Sequence, residues 1–213
     1  MRSLATLILF FGGLAPALAS VDSWDFRVLL DDREIGHHRF TLKRVGAQHE
    51  LQSIAQFDLR LLFVSAWRYS HQAVERWDGD CLSSIESRTD TNGKQSAVSG
   101  ESRDGRIAVQ RGNGREVHDG CIMSFAYWNP RILGADRLLN SQTGELVPVA
   151  ITSLGREPVE VRGSPVLAER HRIRGPGIEI DVWYADGDWV ALTALAGGGR
   201  TLRYELAGEA KTS

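Results

Sequence analysis

The residues best equipped for chemistry in this sequence are six histidines, at positions 37, 38, 49, 71, 118 and 171, together with the acids near them. None falls into HExxH or another helix-borne metal pattern. His37 and His38 are adjacent, and neighbours on a strand point to opposite faces, so the pair does not share a metal ion. A strand through residues 67–77 would show Tyr69, His71, Ala73, Glu75 and Trp77 on one face. His71 and Glu75 would then lie about 13 Å apart along it, too far for a direct general-base pair. A catalytic His71 therefore needs an acid supplied by another strand.

Motifs for covalent catalysis are missing: the chain has neither a GxSxG elbow nor SxxK, and Ser99-Gly100-Glu101-Ser102 resembles neither. Carboxylate pairs of the glycoside-hydrolase kind are assembled by the fold, so spacing alone leaves them open. Asp90-Thr91-Asn92-Gly93 looks like half a calcium loop but lacks the bidentate Glu at the twelfth position, and it reads better as a hairpin tip. The glycine-rich sites precede no helix, which removes the phosphate-loop reading. No metal and no cofactor is expected.

What remains is aromatic. Phe125-Ala126-Tyr127-Trp128-Asn129-Pro130 is the densest aromatic run in the chain. Such side chains bury roughly 150–250 Å² each, and Tyr and Trp add polar handles, which suits a pocket wall or lid and equally a packed core. The candidate ligand contacts are accordingly Tyr69, His71, Trp77, Phe125, Tyr127, Trp128 and Asn129.

Those residues need strands to position them, and period-two patterning dominates the chain. Trp24, Phe26, Val28 and Leu30 alternate with polar partners; Asp31-Asp32-Arg33-Glu34 interrupts, and a second run continues through His38, Phe40 and Leu42. Further strands are expected through Leu51–Leu59 and Trp67–Trp77, and then between the turn pairs Asn92-Gly93, Asp104-Gly105 and Gly112-Asn113-Gly114. Later strands are expected at Val147–Ile151, Val159–Val161, Val166–Ile173, Ile178–Tyr184, Trp189–Ala194 and Leu202–Leu206. The stretch 123–140 breaks the rhythm and is read as a loop with one or two helical turns, Pro130 sitting in the first turn. So many antiparallel strands must curl, split or close, because long open edges invite aggregation. The expected fold is all-β and mostly antiparallel: a strongly curved sheet or half-barrel meander, with 123–140 as a short helical lid.

The N-terminus carries Arg2, an apolar run from Leu4 to Leu14, and Ala17-Leu18-Ala19 after Pro16, the layout of a secretory signal peptide cleaved after Ala19. The run is shorter than the roughly 20 residues a spanning helix needs, and none like it follows, so the mature chain is expected to lack a transmembrane segment. Ser20, with no cysteine there, closes the usual bacterial route to a lipid anchor. The domains expected are a leader over 1–19 and a single β domain over 20–213, periplasmic or secreted. Losing Arg2 lowers the 25 Lys and Arg to 24 against 27 Asp and Glu, a formal charge of −3 with no basic stripe, so nucleic acid is not an expected partner. Cys81 and Cys121 are the only cysteines. An even count in an oxidising compartment favours a disulfide, while two buried thiols are the alternative; zinc would want four clustered ligands.

The combination Tyr69-x-His71, Trp77-x-Gly79-x-Cys81-Leu82, Thr89-Asp90-x-Asn92-Gly93, Phe125-Ala126-Tyr127-Trp128-Asn129 and Leu139-Asn140-x-Gln142-Thr143-Gly144 resembles the domain-of-unknown-function family numbered 6134, of proteobacterial exported proteins. The resemblance spans Trp24 to Leu206 and is consistent with pairing of Cys81 and Cys121. It implies no activity and no catalytic residue. The final third, with Ala168-Glu169-Arg170-His171, Asp181-Val182-Trp183-Tyr184 and Trp189, is also similar to exported β proteins that look distantly like the periplasmic lipoprotein carriers LolA and LolB. That architecture implies a curved sheet wrapped around an acyl-binding cavity. The functions in view are a binding or carrier module for an apolar, lipid-like ligand; an envelope interaction or assembly protein; and a hydrolase with fold-assembled acid and base residues. The non-enzyme readings are favoured.

Overall fold

Tight reversals at almost every predicted turn lay the chain down as a long meander. The computed structural model describes residues 19–61 and 64–207, so the leader expected at 1–19 lies, apart from Ala19, outside the described residues. The first half runs through β1 (Ala19–Leu30), β2 (Arg33–Val45), β3 (Gln48–Leu61), β4 (Val64–Asp78), β5 (Cys81–Thr91), β6 (Lys94–Arg103), β7 (Arg106–Arg111) and β8 (Gly114–Asp119). After an irregular passage holding β9 (Arg137–Leu139) and β10 (Leu146–Pro148), the second half runs through β11 (Ala150–Val161), β12 (Ser164–Gly175), β13 (Ile178–Ala185), β14 (Asp188–Ala196) and β15 (Arg200–Leu206). At the two-residue turns Asn92-Gly93 and Asp104-Gly105 both residues have positive φ, the mirror-image turn whose twist matches its flanking strands.

Thirteen strands form one antiparallel sheet in the order β11-β12-β13-β14-β15-β1-β2-β3-β4-β5-β6-β7-β8. The two meanders are joined by β1, which pairs with β2 through Trp24↔Phe40 and with β15 through Phe26↔Leu206. The strands at the two ends of the order are β8 and β11, and no ladder joins them among the described residues, so the sheet is a half-barrel. β13 from Asp181 to Ala185 and β14 from Trp189 to Leu192 are buried on both faces. Their outward side is covered by Val159, Val161 and Val166 of the β11–β12 hairpin, which packs on Ala168, Trp183, Ala185 and Val190.

The passage from β8 to β11 lies inside the curve. Ile122, Met123, Ala126, Trp128, Ile132, Leu138 and Leu139 pack between Phe26, Leu42, Trp77, Ile85 and Val109 of the first meander and Ile173, Val182, Trp189 and Leu192 of the second. The helical part expected over 123–140 is one 3-10 turn, Pro130–Gly134, begun by Pro130, and the segment packs inside the curve as a plug where a covering lid was expected. Leu138 and Leu139 lie in β9, which pairs with β10 and bridges to Ser124. Both leucines are fully buried, so an extended backbone serves here because apolar neighbours stand on both of its sides. The strand expected over Val147–Ile151 is split at Val149, whose N–H donates to the Asp136 carbonyl at 2.8 Å, with Leu146–Pro148 in the small inner sheet and β11 starting at Ala150. No helix among the described residues is long and apolar enough to cross a membrane.

Candidate functional site

Alternation along β4 turns Trp67, Tyr69, His71, Ala73, Glu75 and Trp77 inward, and the plug meets this face through a polar seam. Glu75 stands in a cross-strand row of otherwise apolar or small residues, Leu51, Ile85, Gly100 and Val109, and is 4% exposed. Ser124 Oγ of the plug donates to its Oε2 at 2.8 Å. His71 Nδ1 lies 2.9 Å from Thr89 Oγ1 of β5, and Nε2 lies 3.4 Å from Ser141 Oγ, again from the plug side. Ser87 Oγ completes the seam by donating to the Ser141 carbonyl.

Burial pushes the Glu75 carboxyl up to about 7, with the Ser124 hydroxyl and the Trp77 indole pulling the other way. Between the ordinary carboxyl range and about pH 7 the folded chain holds a proton that the unfolded chain has released. Stability therefore falls as pH rises through that window and levels off above it. Glu75→Gln keeps the shape and removes the ionisation. It is expected to be neutral at pH 4 and to stabilise the chain by about 3 kcal/mol at pH 8, read from urea midpoints at the two pH values.

A second inner cluster joins β2, β3 and β15. His38 Nε2 lies 2.7 Å from Ser53 Oγ and His38 Nδ1 lies 3.3 Å from Tyr204 OH. Hydroxyl, imidazole and orienting group in that order are the parts of an activated serine. The surroundings do not support that chemistry. Burial holds the His38 imidazole down to about 3, with His71 adding to the effect, and His71 itself is held down to about 4 by burial. Neutral imidazoles this weakly basic are poor general bases near neutral pH. Ser53 is only 6% exposed, and it sits mid-strand, where backbone N–H groups serve the ladder. Both clusters read as satisfied hydrogen-bond networks that fix how the plug and the strands sit.

The predicted contact residues divide between the two ends of the half-barrel. Trp77 and Trp128 meet edge to face at 5.5 Å in the filled end, both buried. Asn129 is the N-cap of the 3-10 turn: its Oδ1 accepts from the Arg131 N–H at 3.0 Å, and its Nδ2 donates to Asp80 Oδ1 at 3.0 Å. Tyr127 packs on Trp189 at 5.3 Å, its carbonyl accepts from Tyr184 OH, and Phe125 is partly buried against the same core. Tyr69 belongs to the other end, in a near-parallel stack with Phe57 at 5.2 Å and Trp67 at 5.6 Å. Cys81 and Cys121 form a disulfide that ties the start of β5 to the entry of the plug. Among the described residues no three His, Cys, Asp or Glu side chains converge on a point that could hold a metal ion.

Two solvent-open hollows lie away from the plugged end, and no residue of 123–140 lines either of them. One, of about 580 Å³, is bordered by Ile35, Gly36, Phe57, Tyr69, Arg68 and Asp90. The other, of about 1330 Å³, is a trough over β3–β7 whose lining includes Gln52, Gln72, Gln95, Gln110 and Gln142, five of the seven glutamines in the chain. The sequence made site candidates of neither the glutamines nor Ser53 and Ser124, and weighed His38 only as a metal ligand beside His37. For His38 a signal was present, since it shares its parity with Phe40 and Leu42 on β2.

Fold and geometry define a class: a disulfide-bonded antiparallel half-barrel stopped by its own chain. A family model described as Domain of unknown function (DUF6134) matches residues 26–207, and the chain belongs to that family. Among solved structures it is similar to a β-barrel-like protein of the domain of unknown function DUF1849 from Brucella abortus. The TM-score is 0.65 at 10% identity, covering 91% of this chain and 97% of that one, a likeness of fold alone. No curated protein matches the chain.

Proposed function

We propose that the mature chain is a non-catalytic interaction module of the cell envelope, acting through the outside of its half-barrel. The observation that carries this reading is the occupied interior. Trp128, Ile132, Leu138 and Leu139 take the space that a carrier would give to cargo. Neutral His38 and His71, each with partners on both ring nitrogens, support a role without acid–base catalysis. The leader expected over residues 1–19 and the Cys81–Cys121 bond support an oxidising, periplasmic or secreted location.

A second reading, a carrier for an apolar acyl or lipid-like ligand, is favoured by the stack of Phe57, Trp67 and Tyr69 beside the smaller hollow. Aromatic walls with a few polar groups are the usual make-up of such sites. Two measurements on one protein separate the readings. Mature protein incubated with envelope lipid extract is weighed by native mass spectrometry, and in cells a photo-crosslinking side chain replaces Gln72 in the trough. The module predicts a lipid-free mass and one discrete protein adduct. Stoichiometric lipid without an adduct overturns it in favour of the carrier.

A further inference from the structure

The trough over β3–β7 combines two features that point to one kind of occupant. Register arranges its floor on the outer face: Gln52, Val74, Glu86, Ser99 and Gln110 form one cross-strand row, and Ile54, Gln72, Arg88 and Ala97 form the next. Ile54 is 45% exposed between these polar side chains. Long amides and hydroxyls around an apolar centre suit a hydrogen-bonding polymer; on this outer face Arg88 stands in the row beside Glu86, while Lys94, which shares the inward parity of Thr91 and Tyr69, flanks the edge on the other face. Arg111, the other cation in the lining, already pairs with Glu116 and Glu145.

The second feature is backbone. β7 pairs with β6 only from Val98 onward, so Lys94–Ala97 have β5 on one side and no ladder partner on the other among the described residues. All four are exposed, and β5 and β4 back them as far as Thr91 and Tyr69. The two-residue turn Asn92-Gly93 makes Thr91 and Lys94 the hydrogen-bonded pair, and the pattern then alternates. Gln95 and Ala97 consequently turn their N–H and C=O groups away from β5, toward the free edge. The same parity holds further along, where Ser99 and Glu101 face β7.

We infer that this edge receives an extended polypeptide segment of a partner protein, added antiparallel to β6 in line with β7, with neutral polar or acidic side chains lying over the glutamines. Main-chain hydrogen bonds to Gln95 and Ala97 supply the affinity, as in other strand additions, while Arg88 and Lys94 set the preference for acidic over basic segments. A glycan would use the amides but not the free edge, which is why the peptide is the better fit. The inference rests on the interaction-module reading and names its surface and partner chemistry.

The test uses the mature protein and a fluorescein-labelled decapeptide of alternating threonine and glutamate. Companions are the threonine–lysine analogue, the same acidic peptide N-methylated at alternate residues, and hexa-N-acetylchitohexaose. Ala97→Pro removes an N–H that β5 does not use, so the edge strand tolerates it, and circular dichroism checks the fold. The acidic peptide is expected to bind, with at least tenfold weakening by Ala97→Pro and, independently of the protein's fold, by N-methylation; the lysine analogue should bind at least fivefold more weakly. Equal binding of the methylated peptide, binding of the oligosaccharide alone, or no binding by any probe overturns strand addition. The adduct at position 72 in cells distinguishes the two levels. An adduct that survives Ala97→Pro overturns strand addition and leaves the module reading standing, whereas no adduct even in the unaltered background removes the module reading itself.

Discussion

Replacing Cys81 and Cys121 together by serine is expected to lower stability by about 4 kcal/mol, the chain-entropy value for a closed loop of this size, given their separation of 40 residues. The loop they close holds all of β5, β6, β7 and β8, the meander that ends in a free edge, and it delivers the chain directly to Ile122 and Met123 of the plug. Without the bond, the unfolded chain gains freedom and the entry of the plug loses its covalent anchor on β5. Backbone contact survives there, since the Leu82 N–H still donates to the Ile122 carbonyl at 2.9 Å. The native arrangement should therefore persist in the double variant. Urea titration is the measurement: the midpoint should fall and the slope should rise, because the unlinked denatured chain exposes more surface. A loss below about 1 kcal/mol would mean that the bond adds little beyond the packing around it.

Local rules made much of this fold legible. Asn92-Gly93, Asp104-Gly105 and Asp186-Gly187 each turn the chain with two positive φ values, and alternation along 67–77 placed Tyr69, His71, Glu75 and Trp77 on one face of β4. An even count of two cysteines pointed to the disulfide. What local rules do not carry is the meeting of distant segments. The pairing of β1 with β15 joins residues about as far apart in sequence as the described chain allows, and no composition marks it. Glu75 looked like one more inward residue; its depth depends on Ser124, 49 positions away, and on a row of apolar partners set by register. The glutamines of the trough are scattered from position 52 to 142; strand register makes neighbours of those on β3–β7, and the turn between β9 and β10 brings in Gln142. Aromatic density at 125–130 marked the right segment, yet lid and plug share one composition, and only the space inside the curve decides between them.

Trp128→Ala decides the matter experimentally, with an expected loss of about 4 kcal/mol, within the range for emptying a buried indole site. Trp128 is 8% exposed, stands edge to face with Trp77, lies 5.7 Å from the His49 ring, and has the Arg44 guanidinium over its face at 5.8 Å. Truncation leaves a cavity between the plug and the first meander that the disulfide nearby keeps from collapsing. Trp128→Phe restores part of the volume and should recover at least half of the loss. A residue lining a vacant ligand pocket behaves differently: its removal exposes little new apolar surface, costs under about 1 kcal/mol, and lowers ligand retention. Paired urea curves for the two variants, read beside lipid content by native mass spectrometry, therefore separate a plug from a lid. A small loss for Trp128→Ala together with lost lipid would return the interior to the carrier reading. A large loss with no lipid to lose leaves the outer face of β3–β7 as the working surface of the half-barrel.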